Sequence, residues 1–296
     1  IFAVNFSILT SLSPTHILKV YIILAIEGGN IMKKNIALVQ FAVTVGDVAA
    51  NYTRVEQLLT EAVASHPDII VLPETWNTGF APTPALKDMA DPDGERTRHF
   101  LSDFAKKHAV NIVGGSVATV KKGYVYNTTY VLDRQGSVIS EYDKIHGFSP
   151  AKEEKFFTGG NHIHHFMLDD IPCSSCICYD IRFPELVRTA ALQGVDLFFV
   201  PAQWPTIRLR HWEILNIARA VENQMFLCAV NGCGQLGRVT CAGNSLLLDP
   251  WGEEILHLDG TEQVRTASID LSVLKDIRQR INVFHDRKPG LYHSDY

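Results

Sequence analysis

Three residues whose types could cooperate in nucleophilic chemistry each follow a predicted strand. Cys178 stands at the end of the apolar run 174–179 and shortly before Pro184, a residue suited to open a helix. A junction between a strand and a helix exposes a side chain and leaves backbone N–H groups free to stabilise a thiolate or an oxyanion. Taken alone, however, a buried structural cysteine is the commoner outcome.

Glu74 and Lys144 stand at comparable places in the sequence. Glu74 follows the run 68–73, and ligand sites in α/β sheets gather at the carboxyl ends of strands. Its carboxylate is therefore placed to exchange protons with a bound molecule. Lys144 follows the run 137–142, where a solvated lysine is the simpler interpretation. Only the three contexts together favour a catalytic site.

The elements that must position these residues alternate between β-rich runs and helical patterns. The strands are predicted at 35–41, 68–73, 110–117, 124–132, 137–142, 174–179, 195–201, 225–231, 243–249, 254–258 and 266–270. The helices are predicted at 51–65, 95–108, 184–193, 209–223 and 271–280, and Asn51 is expected to cap the first. Continuous apolar strands such as 195–201 indicate sheets covered on both faces. Because no low-complexity linker interrupts the pattern, we expect one α/β domain over residues 32–296.

Composition excludes several classes of protein. With 46% hydrophobic and 20% charged residues in a chain of 296, disordered and collagen-like proteins are excluded. A net charge of −5 without long runs of one sign predicts no nucleic-acid partner and no membrane anchor, and favours a small-molecule partner. The longest strongly apolar stretch, 20–26, is too short to cross a bilayer. The six cysteines fit a reduced, cytoplasmic protein.

Residues 1–31 do not resemble the rest of the chain. They contain neither a basic start nor a signal-peptide cleavage site. The codons of Glu27, Gly28 and Gly29 permit a purine-rich ribosome-binding sequence just before the codon of Met32. We therefore expect Met32 to be the initiator and residues 1–31 to be a leader outside the fold. The alternative is an amphipathic extension packed on the domain, and the intact mass of the native protein decides between them.

The three motifs together resemble those of the nitrilase, or carbon–nitrogen hydrolase, superfamily. The likeness rests on Glu74 in Val-Leu-Pro-Glu, Lys144 in Tyr-Asp-Lys-Ile-His and Cys178 in Cys-Tyr-Asp-Ile-Arg-Phe-Pro-Glu, in that order. It extends over nearly everything after Met32, as far as the segment 283–289. The resemblance implies a four-layer α-β-β-α sandwich, usually paired into a homodimer or a higher homo-oligomer. It is greatest to the ω-amidase-like branch.

The resemblance also implies a role for each site residue. Cys178 would attack an amide carbon, and Glu74 would take the thiol proton and deliver it to departing ammonia. Lys144 and the backbone N–H of Tyr179 would stabilise the oxyanion, and Glu153 would support the site. No cofactor and no metal is implied. The sequence departs from the branch at Gly147, where a bulkier apolar residue is common, and we expect a looser loop beside the substrate pocket there.

The expected substrate is a short dicarboxylic acid mono-amide, such as 2-oxoglutaramate or succinamate. Nitriles and N-carbamoyl amino acids would use the same three residues and remain alternatives. A distal carboxylate would suit a guanidinium, and Arg208 is the preferred anchor, with His211 as a helper and Trp204 as a wall of the pocket. Arg182 is a second candidate, although we expect it to pair with a neighbouring carboxylate, that of Asp180 or Glu185.

Two other classes of function stay open. The run 172–176 matches the P-C-x-x-C half of a zinc deaminase signature. That signature also requires H-x-E earlier in the sequence, but H-x-E occurs here only at 211–213, after the cysteines. A structural metal on Cys173, Cys176 and Cys178 lacks an obvious fourth ligand. The histidines at 162, 164 and 165 are interpreted as surface residues. A non-catalytic scaffold is the remaining alternative, which the three motifs together disfavour.

Overall fold

The computed structural model describes residues 33–80 and 82–292. The expectation about residues 1–31 therefore concerns a segment outside the described residues. Within the described ranges, no helix is both long enough and apolar enough to cross a membrane.

The described residues contain sixteen strands and seven α-helices. The strands are β1 (Lys33–Gln40), β2 (Ile69–Val71), β3 (Asp91–Pro92), β4 (Asn111–Val113), β5 (Val117–Lys121), β6 (Tyr124–Leu132), β7 (Val138–Asp143), β8 (Phe166–Leu168), β9 (Ile171–Ser175), β10 (Leu197–Ala202), β11 (Phe226–Asn231), β12 (Cys233–Leu236), β13 (Val239–Ala242), β14 (Leu246–Leu248), β15 (Glu254–His257) and β16 (Gln263–Asp270). The helices are α1 (Val48–Val63), α2 (Leu86–Met89), α3 (Glu95–His108), α4 (Pro184–Leu192), α5 (Leu209–Asn223), α6 (Val273–Arg280) and α7 (Val283–Asp286).

Two large sheets contain most of the strands. The first has the order β16-β1-β2-β4-β6-β5-β3, with β7 beside β6, and the second has the order β15-β14-β11-β10-β9-β8. β1, β2 and β4 run parallel in the first sheet, and β9, β10 and β11 run parallel in the second. Parallel strands bring their carboxyl ends to one edge, so the loops after β2, β9 and β10 can share a site.

Alternating side chains divide the protein into four layers. In β1, Ala37 and Val39 pack with apolar residues of α1 and α3, whereas Ile36 and Leu38 pack against the second sheet. In β10, Phe199 joins this cluster between the sheets, and its neighbour Phe198 packs with residues of α4 and α5. The expected four-layer α-β-β-α sandwich is therefore confirmed.

Two local predictions were wrong at the ends of elements. Helix α1 begins a turn earlier than expected, and Asp47, not Asn51, caps it by accepting a hydrogen bond from the N–H of Ala50 at 2.9 Å. The predicted strand 110–117 is two strands separated by a turn. The turn needs Gly115, whose φ is +60° and where a Cβ atom would lie 2.0 Å from the carbonyl oxygen of Pro73.

A hairpin of β12 and β13 was not predicted. Its base is held by the N–H of Cys233, which donates to Phe41, and by the N–H of Ala242, which donates to Trp204. Leu236 and Val239, on either side of its turn, reach the cavity described below. The hairpin thus closes one side of that cavity.

Candidate active site

Glu74 lies three residues beyond the end of β2, with its side chain buried. One carboxylate oxygen accepts hydrogen bonds from Lys144 Nζ at 2.9 Å and from Asn127 Nδ2 at 2.8 Å. The other accepts from the backbone N–H of Gln203 at 2.8 Å. Because Gln203 directly follows β10, this contact joins the carboxyl ends of the two sheets at Glu74.

Lys144 lies between two carboxyl groups directly after β7. Its Nζ is 2.9 Å from Glu74 Oε1 and 3.0 Å from Glu153 Oε2, and its side chain is buried. Burial lowers the pKa of Lys144, but the two carboxylates outweigh it and hold that pKa well above its usual value. Burial raises the pKa of Glu153, and the ammonium offsets only part of the rise. The cluster therefore holds one ammonium against two carboxyl groups.

Cys178 lies in a turn, not at the end of a strand as predicted. Strand β9 stops at Ser175, and Cys178 begins the 3₁₀ helix Cys178–Arg182 with a φ of +48°, in the left-handed region. The first hydrogen bond of this helix runs from the N–H of Asp180 to the carbonyl of Ile177 at 3.0 Å. The N–H groups of Cys178 and Tyr179 precede that bond, which is the position expected for oxyanion donors.

The surroundings of the Cys178 thiol raise its pKa. Burial and the nearby Glu74 carboxylate raise its pKa well above the usual value, and the Lys144 ammonium and the N–H of Gln203 offset only part of this. Glu74 is the charged group with the largest effect on this thiol, and both residues line the cavity described below. The geometry therefore suits transfer of the thiol proton to Glu74 during attack.

Asp180 joins the segment of Lys144 to the turn of Cys178. Its buried carboxylate accepts from the hydroxyl of Tyr142 at 2.8 Å and from the N–H of Ile177 at 3.0 Å. It also binds the N–H of His146 at 2.9 Å and the His146 ring at 2.7 Å. Lys144 and Cys178 are thus held in position by one carboxylate.

A cavity of about 120 Å³ opens onto the three residues. Glu74, Lys144, Cys178 and Tyr179 line it together with Arg182 and Arg208. Its other walls are mainly apolar and comprise Phe80, Phe148, Trp204, Pro205, Leu236 and Val239. The structure therefore brings Glu74, Lys144 and Cys178 into one cavity with two guanidinium groups in a mainly apolar setting.

The expected pairing of Arg182 with Asp180 or Glu185 is wrong. Asp180 is occupied by Tyr142 and His146, and the Arg182 guanidinium lies over the Trp204 ring at 4.7 Å instead. Burial and the charge of Arg208 lower the pKa of Arg182.

The remaining predicted pocket residues lie beside the two arginines. Arg208 lies over the ring of Phe148 at 5.0 Å. Trp204 forms part of the wall and donates from Nε1 to the carbonyl of Arg208 at 2.8 Å. His211 is exposed, 3.4 Å from an Arg182 nitrogen and outside the lining of the cavity.

Asn127 and Gln203, which both donate hydrogen bonds to Glu74, were not predicted from the sequence. Asn127 lies within β6, and Gln203 also donates from Nε2 to the Glu74 carbonyl at 2.9 Å. An amide inside or directly after a strand has no distinctive spacing. The two residues are identified only by their hydrogen bonds to Glu74, which join segments that are distant in the sequence.

The cysteines of the proposed metal site do not face a common point. Cys173 packs between the two sheets, whereas Cys176 and Cys178 pack on the helix side of the second sheet. In the part of the chain that the structure describes, no three His, Cys, Asp or Glu side chains form a group that could hold a metal ion.

The interpretation of His164 as a surface residue is wrong. It is buried, and its ring nitrogens bind the hydroxyls of Ser140 and Ser175, both at 2.8 Å. Burial lowers its pKa to about 3.

The model of the carbon–nitrogen hydrolase family matches residues 35–279. The chain belongs to the carbon–nitrogen hydrolase family. This hydrolase is 41% identical over 261 residues to a 2-oxoglutaramate amidase of Bacillus subtilis (strain 168), a match that covers 88% of this chain and 100% of the relative. It is 32% identical over 267 residues to the omega-amidase NIT2 of Mus musculus, covering 87% of this chain and 96% of the relative.

Solved structures resemble this hydrolase over most of its length. A CN-hydrolase superfamily protein from Xanthomonas campestris, with an arsenic adduct in its active site, superposes with a TM-score of 0.81 at 28% identity. That match covers 86% of this chain and 97% of the other. Nit3 of Saccharomyces cerevisiae, a member of the nitrilase superfamily, gives a TM-score of 0.80 at 25% identity, over 88% of this chain and 97% of the other.

Proposed function

We propose that this hydrolase releases ammonia from the terminal amide of a short dicarboxylic acid mono-amide, through a thioester on Cys178. The observation that carries the substrate class is the pair of guanidinium groups, Arg182 and Arg208, in the cavity that contains Cys178. Neither lies within ion-pair distance of a carboxylate of the described residues. Two partly buried cations without an internal anion suit a substrate that brings a carboxylate.

The first half of the reaction would form the thioester. The sulfur of Cys178 attacks the amide carbon as its proton passes to Glu74, and the oxyanion receives hydrogen bonds from Lys144 and the Tyr179 N–H. When the tetrahedral intermediate collapses, the carbon–nitrogen bond breaks and Glu74 returns the proton to the nitrogen, which leaves as ammonia. Glu153 holds Lys144 in place, since both of its oxygens accept from Nζ, at 3.0 and 3.1 Å.

The second half would hydrolyse the thioester. Glu74 takes a proton from water, whose oxygen adds to the thioester carbon. The carbon–sulfur bond then breaks, and Cys178 recovers its proton from Glu74 as the acid leaves. Every group in the scheme belongs to the chain or the substrate, so no cofactor or metal enters it.

The names of the relatives support the proposed class of substrate. Both the 2-oxoglutaramate amidase and the omega-amidase match almost over their whole length. An N-carbamoyl amino acid also presents a carboxylate at a distance from its amide, so it remains the second candidate. A simple nitrile brings no carboxylate and leaves the arginines without a role.

We further propose a cytoplasmic homodimer joined through α4 and α5. Helices α4 and α5 and the turn after β14 expose large apolar side chains, namely Leu192, Ile214, Val221 and Trp251, each at least 43% exposed. Exposed apolar groups on adjacent elements are typical of subunit interfaces. The six cysteines form no disulfide, which suits a reducing compartment.

The test is a panel of succinamate, uncharged butyramide and an N-carbamoyl amino acid, with ammonia as the readout. In Arg208→Ala and Arg182→Ala, we expect KM for succinamate to rise about 10-fold to 100-fold, because a charged hydrogen bond contributes about 1.5–3 kcal/mol. The activity on butyramide should change less than 2-fold. Arg210→Ala is the matched control, since its side chain is 76% exposed beside Glu213. Preference of the wild type for butyramide would refute the substrate class.

A further inference from the structure

Gln203 holds Glu74 through both its backbone and its side chain. The backbone N–H donates to Glu74 Oε2 at 2.8 Å, and the side-chain Nε2 donates to the Glu74 carbonyl at 2.9 Å. Gln203 is buried and lines the substrate cavity beside Cys178. The placement of this one residue therefore fixes where the Glu74 carboxylate lies relative to the Cys178 sulfur.

The orientation of the Gln203 amide follows from its two neighbours. A backbone carbonyl can only accept, so the amide nitrogen must be the atom that faces the Glu74 carbonyl. The amide oxygen, Oε1, then faces its other neighbour, the thiol of Cys241, whose Sγ lies 3.2 Å away. Since an amide oxygen has no hydrogen to give, the thiol must be the donor. Among the described residues, Cys241 is the only hydrogen-bond donor to Oε1.

The Cys241 thiol keeps the proton that this contact needs. Its residue is only 2% exposed, in the strand β13. Burial and then the charge of Glu74 raise the pKa of the thiol to about 12. The sulfur therefore carries its hydrogen at neutral pH and can donate it to Oε1.

The backbone brings Cys241 and the Gln203 amide to the same place. Cys241 forms an antiparallel bridge with Pro205, two residues beyond Gln203. On another side of the amide, a Cβ atom at Gly232 would lie 2.1 Å from Oε1 and 2.6 Å from Cδ, so only glycine leaves room for the amide there. The contact is thus built into the chain and does not depend on a loosely packed side chain.

We propose that Cys241 is a positioning residue for Glu74 and acts through the Gln203 amide. The inference rests on the proposed function, in which Glu74 transfers the proton in both halves of the reaction. Without the thiol, Oε1 has no donor, and the amide gains by turning into the cavity. Nε2 then leaves the Glu74 carbonyl, and the carboxylate loses the alignment that proton transfer requires. Arg182 and Arg208 stay in place, so binding of the substrate is retained.

The experiment measures kcat and KM separately, from the ammonia released by succinamate. In Cys241→Ala we expect kcat to fall at least about fivefold, while KM changes by less than about 2-fold. Cys241→Ser restores a donor and should recover at least about half of the wild-type kcat. The matched control is Cys233→Ala, which truncates a buried thiol of the same hairpin that makes no hydrogen bond to Gln203 and should leave kcat unchanged.

A double-mutant cycle tests whether Cys241 acts through the amide. Gln203→Met replaces the amide by a side chain of similar length without an acceptor. In this background, Cys241→Ala should lower kcat by less than about 2-fold, because the group that the thiol orients is gone. If Cys241→Ala kept its full effect there, the thiol would act by packing and the inference would be wrong.

Two further results would overturn the inference: a wild-type kcat in Cys241→Ala, or a kcat as low in Cys241→Ser as in Cys241→Ala. The same variants are measured on butyramide, so an error in the proposed substrate class does not decide the outcome. Glu74→Gln tests the proposed mechanism itself. If Glu74→Gln stays active, the proposed function fails, whereas an inactive Glu74→Gln beside a fully active Cys241→Ala refutes the inference alone.

Discussion

A cluster of charged side chains lies at each end of the parallel strands, and the two clusters differ in their ratio of cations to carboxyl groups. At the amino ends, Arg134 donates to both oxygens of Asp169, each at 2.8 Å, and to Asp68 at 2.6 Å. Lys34 adds a contact to Asp169 at 3.0 Å. We call these four residues the amino-end cluster. Its two cations match its two anions, and all four side chains are partly exposed.

The carboxyl-end cluster consists of Glu74, Lys144 and Glu153. It is fully enclosed and has one cation for two carboxyl groups. The same residue types therefore acquire opposite properties: hydrogen bonds from Arg134 hold the pKa of Asp169 well below its usual value, whereas burial raises the pKa of Glu153. A balanced cluster at the surface ties segments together, and an unbalanced buried one retains affinity for a proton. Changes at the carboxyl ends should thus reduce activity, and changes at the amino ends should reduce stability.

The largest expected effect is on activity, in Cys178→Ala. The substitution removes the nucleophile, so we expect the rate of ammonia release to fall at least 10³-fold, while the melting temperature changes by less than about 2 °C. The control is Cys176→Ala, which truncates a buried thiol on the same segment and should retain activity. If Cys178→Ala kept a tenth of the wild-type rate, the proposed mechanism would be wrong.

The second effect is on the pH dependence of stability, at the buried His164. Its folded pKa of about 3 lies below the value near 6.5 of an unfolded chain, so between these values the unfolded state binds the extra proton. Stability is therefore lost as pH falls from 6.5. Between pH 7 and pH 5 we expect the wild type to lose about 2 kcal/mol more than His164→Gln. The free energy of unfolding is measured with urea at several pH values. If it changed equally with pH in the wild type and in His164→Gln, the ring would titrate as in an unfolded chain, and the prediction would be wrong.

The smallest effect concerns the amino-end cluster. Arg134→Met leaves two carboxylates with Lys34 alone, and we expect the free energy of unfolding at pH 7 to fall by about 1–2 kcal/mol, less at high salt. Because the folded pKa of Asp169 is lowered, this contribution is present above the usual carboxyl pKa and disappears as pH falls through the folded value. Activity should stay within 2-fold of the wild type. Arg210→Met, at an exposed position, serves as the control. If Arg134→Met lost activity and the control did not, the amino-end cluster would affect catalysis, and the contrast between the two clusters would be wrong.

Sequence periodicity was sufficient for the layers and for most elements. Helix α5 has the predicted bounds, and α3 agrees with the predicted 95–108. The errors occur where a local pattern competes with a distant contact. The run 176–178 has the composition of a strand, but Asp180 binds the N–H of Ile177 and turns the chain before Cys178.

The candidate site was predictable in part for a similar reason. Glu74, Lys144 and Cys178 stand in distinctive motifs, and the structure places them together. The partners of buried polar groups come from elsewhere in the sequence, as with the two serines that bind His164 and the amide of Asn127 that binds Glu74. Arg182 was assigned to a neighbouring carboxylate, that of Asp180 or Glu185, but Asp180 binds Tyr142 and His146 instead. A single sequence carries no signal for such pairings.

The left-handed backbone of Cys178 has a consequence for engineering. At a φ of +48°, a residue with a Cβ atom is disfavoured relative to glycine by about 1 kcal/mol. The free energy of unfolding of Cys178→Gly should therefore exceed that of Cys178→Ala. Both variants lack the nucleophile of the proposed mechanism and should be inactive. A selection scheme that rewards heat resistance alone would drift toward glycine at this position and discard the nucleophile, so any directed-evolution campaign on this chain needs turnover among its selection criteria.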